Sequence, residues 1–215
     1  MQVKSKKRVA DHGEVFTNER EVNAMLDLVK DETERIDSRF LEPACGNGNF
    51  LAEVLRRKLN VVKGRYGKSQ MEFERYAIIA VSSIYGVDIL NDNAQECRER
   101  LYQIFDEYYT ALFQEKCKEE CRRSVKFLLE RNILWGDALD FTNPETKDPI
   151  IFSEWTPING SLIKRKDFVY QFLVEGSLQL TLFDERDRPQ NFDKEIKDFT
   201  PIHFLKLGEN DTYEL

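Results

Sequence analysis

The chain has 215 residues, 41% of them hydrophobic and 12% aromatic, enough for one domain with a real core and a small appendage. Its 32 basic and 39 acidic residues leave a net charge of −7, which excludes a protein that coats nucleic acid by charge alone, but not one with a local basic groove or a basic partner subunit. No apolar run approaches the ~18 residues of a membrane span and no signal peptide precedes the charged start, so a cytoplasmic protein with no membrane contact is expected.

Residues 1–10 are basic and expected to be flexible. Between 14 and 30, Val22, Met25, Leu26 and Val29 mark one helical face, with Thr17 or Asn18 as N-cap. Residues 31–39 are polar and read as a loop, 39–41 as a short strand and 49–59 as a helix. The stretch 60–76 carries Gly64, Gly67 and many charges, and reads as an excursion. Residues 76–87 are apolar throughout, a buried helix running into a strand at 83–87. A long helix follows over 91–113, capped near Asn91 or Asp92, with helix continuing or restarting as far as Leu129. Residues 132–139 hold a short strand ending in Gly136-Asp137, and 148–155 hold another. Segments 168–173 and 178–183 also carry strand patterns. The expected organisation is one domain over 11–183 and a charged tail over 184–215.

Cys45, Cys97, Cys117 and Cys121 form no CxxC pair, and no His or Cys pair follows to complete a zinc site. Reduced thiols and no metal are expected.

Strand, glycine turn, helix, then strand ending in an acid: this alternation implies an α/β fold with a mostly parallel sheet and helices on both faces. The turn Glu42-Pro43-Ala44-Cys45-Gly46-Asn47-Gly48 has two of the three glycines of a dinucleotide fingerprint, and lets a ligand approach the backbone at Gly46 and Gly48. Glu42, at a strand end, is an acceptor for an amine or hydroxyl. Asp88, at the tip of the neighbouring strand, is placed for the two hydroxyls of a ribose, and Asp137 for an adenine amino group. Each acid alone reads as an ordinary strand end; the ordered set of three is the signal.

These segments resemble the motifs of N6-adenine-specific DNA methyltransferases, of the kind found as modification subunits of restriction-modification systems. LEPACGNGNFL, residues 41–51, is similar to the family's S-adenosyl-L-methionine (SAM) loop. YGVDILNDNAQECRERL, 85–101, resembles the next motif, and ILWGDAL, 133–139, the third. Upstream, DHGEVFTNEREVNAML, 11–26, resembles the segment that closes over the methionine end of SAM; Gly13, Phe16 and Thr17 match, and Asn18 stands where proline is common. The resemblance covers roughly residues 11–140 and implies a Rossmann-like, SAM-dependent methyltransferase fold. It puts Phe16, Thr17, Glu42, Pro43, Ala44, Cys45, Gly46 and Gly48 at the cofactor. Asp88 and Ile89 fall at its ribose, and Asp137, Ala138 and Leu139 near its adenine.

The family's catalytic motif, [DNS]-P-P-[YFW], is missing its prolines, since the chain has no Pro-Pro. In the expected place stands DPIIFSEWTPING, 148–160, where Ser153, Glu154 and Trp155 are the candidate catalytic residues. Ser153 is then the acceptor for the target amine and Trp155 the platform for a flipped adenine. The bland reading of Trp155 is a buried strand-end aromatic. IKRKDF, 163–168, is a basic cluster that either touches phosphates or forms a solvated loop.

The resemblance implies adenine-N6 methylation of DNA, by this chain with a separate recognition subunit or by an enzyme of which it is the SAM-binding subunit. The alternative is a catalytically inactive SAM-binding subunit with a regulatory or assembly role. Methylation of a small molecule or a protein fits the motif spacing less well. Finally, Gln179, Leu180, Leu182 and Phe183 resemble the Q-L-[SD]-L-F peptide by which bacterial replication and repair proteins dock on the sliding clamp. The same leucines also alternate as one face of an ordinary strand.

Overall fold

The structure, a computed structural model, describes residues 5–12, 17–174 and 195–209. Phe16, the expected strand at 178–183 and the clamp-like residues Gln179, Leu180, Leu182 and Phe183 lie outside these residues.

Three strands, β1 (Phe40–Glu42), β2 (Ile84–Asp88) and β3 (Ile133–Trp135), form a parallel sheet in the order β1-β2-β3. Phe40 lies opposite Ile84, Glu42 opposite Gly86 and Asp88 opposite Trp135. The mixed α/β class and the parallel pairing of these strands match expectation. Helices α1 (Lys6–His12), α2 (Glu19–Asp27), α3 (Lys30–Glu34), α4 (Asn49–Tyr66), α5 (Gln70–Ser82), α6 (Asn91–Phe113) and α7 (Glu119–Asn132) accompany them. Each crossover therefore carries a pair of helices, α4–α5 and then α6–α7, and all four touch β2. Every residue of β2 is buried, as a continuous apolar run in a central parallel strand requires. β1 has no second neighbour among the described residues, and Leu41 on it is 45% exposed.

The excursion expected over 60–76 is instead helix. Leu51, Val54, Leu55, Leu59 and Val62 form one uninterrupted apolar stripe, so α4 continues to Tyr66 while its charges face outward. Only 67–69 link it to α5, where Ser69 caps the new helix through the Glu72 amide. Gly67 is needed in this link because a Cβ there would lie 2.5 Å from the Lys63 carbonyl oxygen. Two smaller differences concern the start of the chain. Lys6–His12 forms α1, which begins in the basic stretch 1–10 and runs past it, and Lys30–Glu34 forms α3 where a loop was expected.

The strand at 148–155 does not extend the parallel sheet. It is β4 (Ile151–Pro157), and it pairs antiparallel with β5 (Leu162–Val169) in a second sheet completed by β6 (Glu195–Asp198) and β7 (Ile202–His203). The cause is local. Asn159-Gly160 lies between two strand patterns, Gly160 has φ 69°, and the Ile158 amide donates to the Leu162 carbonyl at 2.9 Å, closing a hairpin. The IKRKDF cluster is thus a strand of this sheet, with its charges matched internally: Lys164 lies 2.7 Å from Asp198, and Arg165 lies 2.7 Å from Asp167. The strand pattern at 168–173 ends within β5, and 170–174 turn helical.

Two buried polar side chains join the layers. Asn132, at the end of α7, donates to the carbonyls of Ser82 and Ile84 at 3.1 Å each, and its oxygen accepts the Trp155 indole N–H at 2.8 Å. Lys58 of α4 is fully buried. It donates to the carbonyls of Ile36 and Ser38 and to the Ser83 hydroxyl, pinning the 36–39 loop where β1 and β2 begin. Its three acceptors match the three protons of an ammonium, while burial pulls its pKa down to about 7.

Because that value lies below the ordinary lysine pKa, the unfolded chain binds the extra proton between about pH 7 and 10.5, and stability from this group rises with pH across that window. Urea midpoints of the native protein should therefore rise from pH 7 to 9.5 relative to those of Lys58→Met. Parallel curves would show that the three acceptors keep the ammonium charged and outweigh its desolvation.

Candidate cofactor site

The carboxyl ends of parallel strands are where open α/β sheets bind ligands. Here Glu42 ends β1, Asp88 ends β2, and Asp137 stands just beyond the end of β3. The turn between β1 and α4 closes over this edge. Gly46 and Gly48 have φ of 52° and 84°, the left-handed region that favours glycine. A Cβ on Gly48 would meet the Cys97 sulfur at 2.6 Å. The turn is fastened to β2 by the Cys45 amide, which donates to the Val87 carbonyl at 2.9 Å, and by the Gly46 amide, which donates to Asp88 Oδ2 at 2.8 Å.

Asp88 is more engaged than a free ribose acceptor. Its Oδ1 also accepts the Leu90 amide at 2.9 Å and Asn93 Nδ2 at 3.2 Å. The carboxylate is buried, and three of its roughly four acceptor positions are filled from within the protein. Asn93 in turn accepts Arg8 at 3.1 Å, and Arg8 pairs with Asp92 at 2.5 Å, so α1 is tied to the start of α6 beside Asp88.

The other two acids keep spare capacity. Among the described residues, Glu42 accepts only a long bond from the Ala44 amide, at 3.4 Å, and burial raises its pKa against that bond. Asp137 uses one oxygen for the Leu139 and Asp140 amides, at 2.8 and 3.3 Å. Its second oxygen has no protein partner among the described residues. Beside it, Leu139 is 87% exposed and Ile89 42% exposed, and the Trp135 indole N–H holds the Ile89 carbonyl at 3.0 Å. Uncovered apolar side chains next to a free carboxylate oxygen suit a flat heterocycle with an exocyclic amine. Ala138 lies between them, half-buried, and Pro43 and Ala44 form the exposed shoulder of the turn.

On the other side of the turn is a cavity of about 660 Å³, lined by Thr17, Asn18, Glu19, Val22, Asn47, Asn49, Ala52, Glu53, Arg56 and Arg100. It brings Thr17 to the turn, since the Thr17 carbonyl accepts Asn49 Nδ2 at 3.0 Å. Arg100 of α6 donates to the Asn47 carbonyl at 3.2 Å and to the Asn49 side chain. The three acids do not line this cavity; Asn47 and Asn49 of the turn do. Asn47, Asn49 and Arg100 were not singled out in the sequence. The asparagines stand among the glycines in plain view, whereas Arg100 reaches the turn only because α6 packs on α4. Cys45 faces inward: the Cys97 side chain beside it and burial push its thiol far up, so it is an inert packing group.

Ser153, Glu154 and Trp155 are not assembled with the acids. Ser153 and Trp155 are 1% and 5% exposed. Ser153 donates to Asp167 at 2.7 Å, Glu154 is paired with Arg39, and Trp155 packs edge-on against Phe127 while bonded to Asn132. Asn132 holds the amino-terminal ends of the parallel strands, so Trp155 sits about 13 Å along β2 from Asp88, at the opposite edge of the sheet. The buried-aromatic reading of Trp155 is the one that matches this geometry. Among the described residues, no group of three His, Cys, Asp or Glu side chains is placed to hold a metal ion, and no helix is long and apolar enough to cross a membrane.

The two aspartates should separate in equilibrium unfolding. Asp88→Ala orphans two backbone amides at a buried site and should cost about 2–4 kcal/mol, while Asp137→Ala should cost under about 1 kcal/mol. Equal losses would mean that Asp88 does not hold the turn.

The chain matches no family model, no curated protein and no solved structure.

Proposed function

We propose that this chain binds SAM at the carboxyl ends of β1, β2 and β3, and serves as the cofactor-binding unit of an N6-adenine DNA methyltransferase system with a Rossmann-like methyltransferase fold. The observation that carries the reading is the ordered set of three carboxylates, Glu42, Asp88 and Asp137, at or just beyond the carboxyl ends of adjacent parallel strands, around a turn whose glycines have positive φ. Asp137 offers its free oxygen to the adenine amino group, between Ile89 and Leu139. Asp88 has one acceptor position left for a ribose hydroxyl and shapes the turn with the others. Glu42 and the polar cavity beyond Asn47, with Thr17 and Arg100, suit the charged amino-acid end.

A second reading, in which this chain alone carries out methyl transfer, needs Ser153 as acceptor and Trp155 as platform. Their burial at the opposite edge of the sheet favours the first reading, in which a partner subunit supplies the groups that hold the flipped base. DNA is then the substrate of the assembly. Clamp docking through Gln179, Leu180, Leu182 and Phe183 remains compatible with this reading and rests on the sequence alone.

Isothermal titration calorimetry should detect SAM binding to the native protein, weakened about tenfold in Asp137→Ala, the size of one lost hydrogen bond. Absence of heat with the native protein refutes the cofactor reading. Labelled SAM with unmethylated DNA should give no methyl incorporation by the chain alone; incorporation would establish the second reading instead.

A further inference from the structure

Residues 54–71 contain six basic residues and no acid, in a chain whose net charge is −7. Two of the six have structural duties: Lys58 is buried, and Arg57 pairs with Asp27 at 2.8 Å and Glu53 at 3.4 Å. The other four, Arg56, Lys63, Arg65 and Lys68, are exposed and have no ion pair among the described residues. The dipole of α4 accounts for Lys63 and Arg65 in its last turn. It does not account for Lys68, beyond the helix, or for Arg56, which shares a face with Lys63 one heptad earlier.

Half-exposed tyrosines lie among these cations. Lys63 stands 6.0 Å from the centre of the Tyr108 ring, and the Tyr108 hydroxyl donates to Asn60 at 2.7 Å. At the α4–α5 junction, Tyr66 and Tyr76 stack with ring centres 3.7 Å apart, and Arg75 lies 5.5 Å from the Tyr76 centre. The acids in the electrostatic surroundings are Glu53, already shared with Arg57, together with Glu72 and Glu107. Five cations against two unshared acids leave the corner positive. α4 is 18 residues, about 27 Å, so Lys63, Arg65 and Lys68 lie at the far end of the helix from Gly48, while Arg56 stands midway and also lines the cavity beside Asn47.

We propose that the α4–α5 corner is a binding surface for single-stranded DNA, with Arg56, Lys63, Arg65 and Lys68 on phosphates and the Tyr66–Tyr76 pair as a stacking face for an unpaired base. Unpaired cations alone suit any polyanion. Aromatic rings interleaved with them favour a nucleic acid, because every base has a face to stack. The inference does not rest on the cofactor reading, and its test contains no SAM.

The test is fluorescence anisotropy of a labelled 20-nucleotide single strand titrated with the full chain. Four phosphate contacts predict a slope of about −3 in log affinity against log salt, roughly a fifty-fold loss between 50 and 200 mM. The double variant Arg65→Glu/Lys68→Glu should weaken binding at least about tenfold and flatten the slope by about 1.4. Tyr66→Ala should weaken it about fivefold or more. Arg65 and Lys68 face solvent and Tyr66 is half-exposed, so circular dichroism of each variant is compared with the native spectrum, the double variant should leave it unchanged, and Asp137→Ala should bind the strand as the native protein does. No binding at 50 mM salt, or binding indifferent to the double variant, overturns the proposal. Equal binding of a polyglutamate peptide reassigns the corner to an acidic protein partner.

Discussion

The carboxylate of Asp88 holds the carboxyl edge of the parallel sheet together. A charge buried to this degree must be compensated, and here the compensation comes from three N–H donors on two segments: the Gly46 amide of the glycine turn, and the Leu90 amide and Asn93 side chain at the start of α6. Donation from Gly46 requires its amide to point back at β2, which goes with the positive φ at Gly46. The turn then re-enters at Gly48, whose missing Cβ makes room for Cys97. The open backbone of the turn, the start of α4 and the cavity beside Asn47 all depend on this fastening. The residue that most resembles a ligand contact is therefore also the one that builds the site.

The two edges of the sheet are chemically opposed. At the carboxyl edge, backbone curvature, carboxylates with spare oxygens and exposed Ile89 and Leu139 remain open to a ligand. At the amino edge, Lys58 spends its protons on the Ile36 and Ser38 carbonyls and the Ser83 hydroxyl, Asn132 spends its amide protons on the Ser82 and Ile84 carbonyls, and Trp155 closes the layer between Phe127 and Asn132. Buried polar groups that are fully satisfied make an edge rigid and closed. The second sheet packs on α5 and α7, and Tyr85 bonds the Ser153 carbonyl at 3.0 Å. It thus serves as a brace for the three-stranded sheet rather than as its continuation.

Charge is distributed with the same division of labour. The basic residues of β5 are used up by Asp167 and Asp198. Those of the α4–α5 corner are not, although the chain as a whole is acidic. Unmatched cations carry no stability that would explain their grouping, since exposed ion pairs contribute little even when formed.

Several features were legible in the sequence because they are local. The strand–turn–helix around Gly46 and Gly48 shows in two glycines between an apolar strand and an apolar-periodic helix. The order β1, β2, β3 shows in three apolar runs, each ending in an acid. The Asn159-Gly160 hairpin was legible too, and reading past it put β4 in the wrong sheet. What only the tertiary structure decided depends on which groups meet across the chain. Asp88 carries its bonds to Gly46 and Asn93 because β2 lies beside the turn. Trp155 is spent on Asn132 because the hairpin reverses β4 onto α7. Arg100 reaches Asn47 because α6 packs on α4. Periodicity and turn chemistry act within a few residues and are written in sequence order, whereas the role of a polar side chain is set by the partner that satisfies it, and those partners stand tens of residues away.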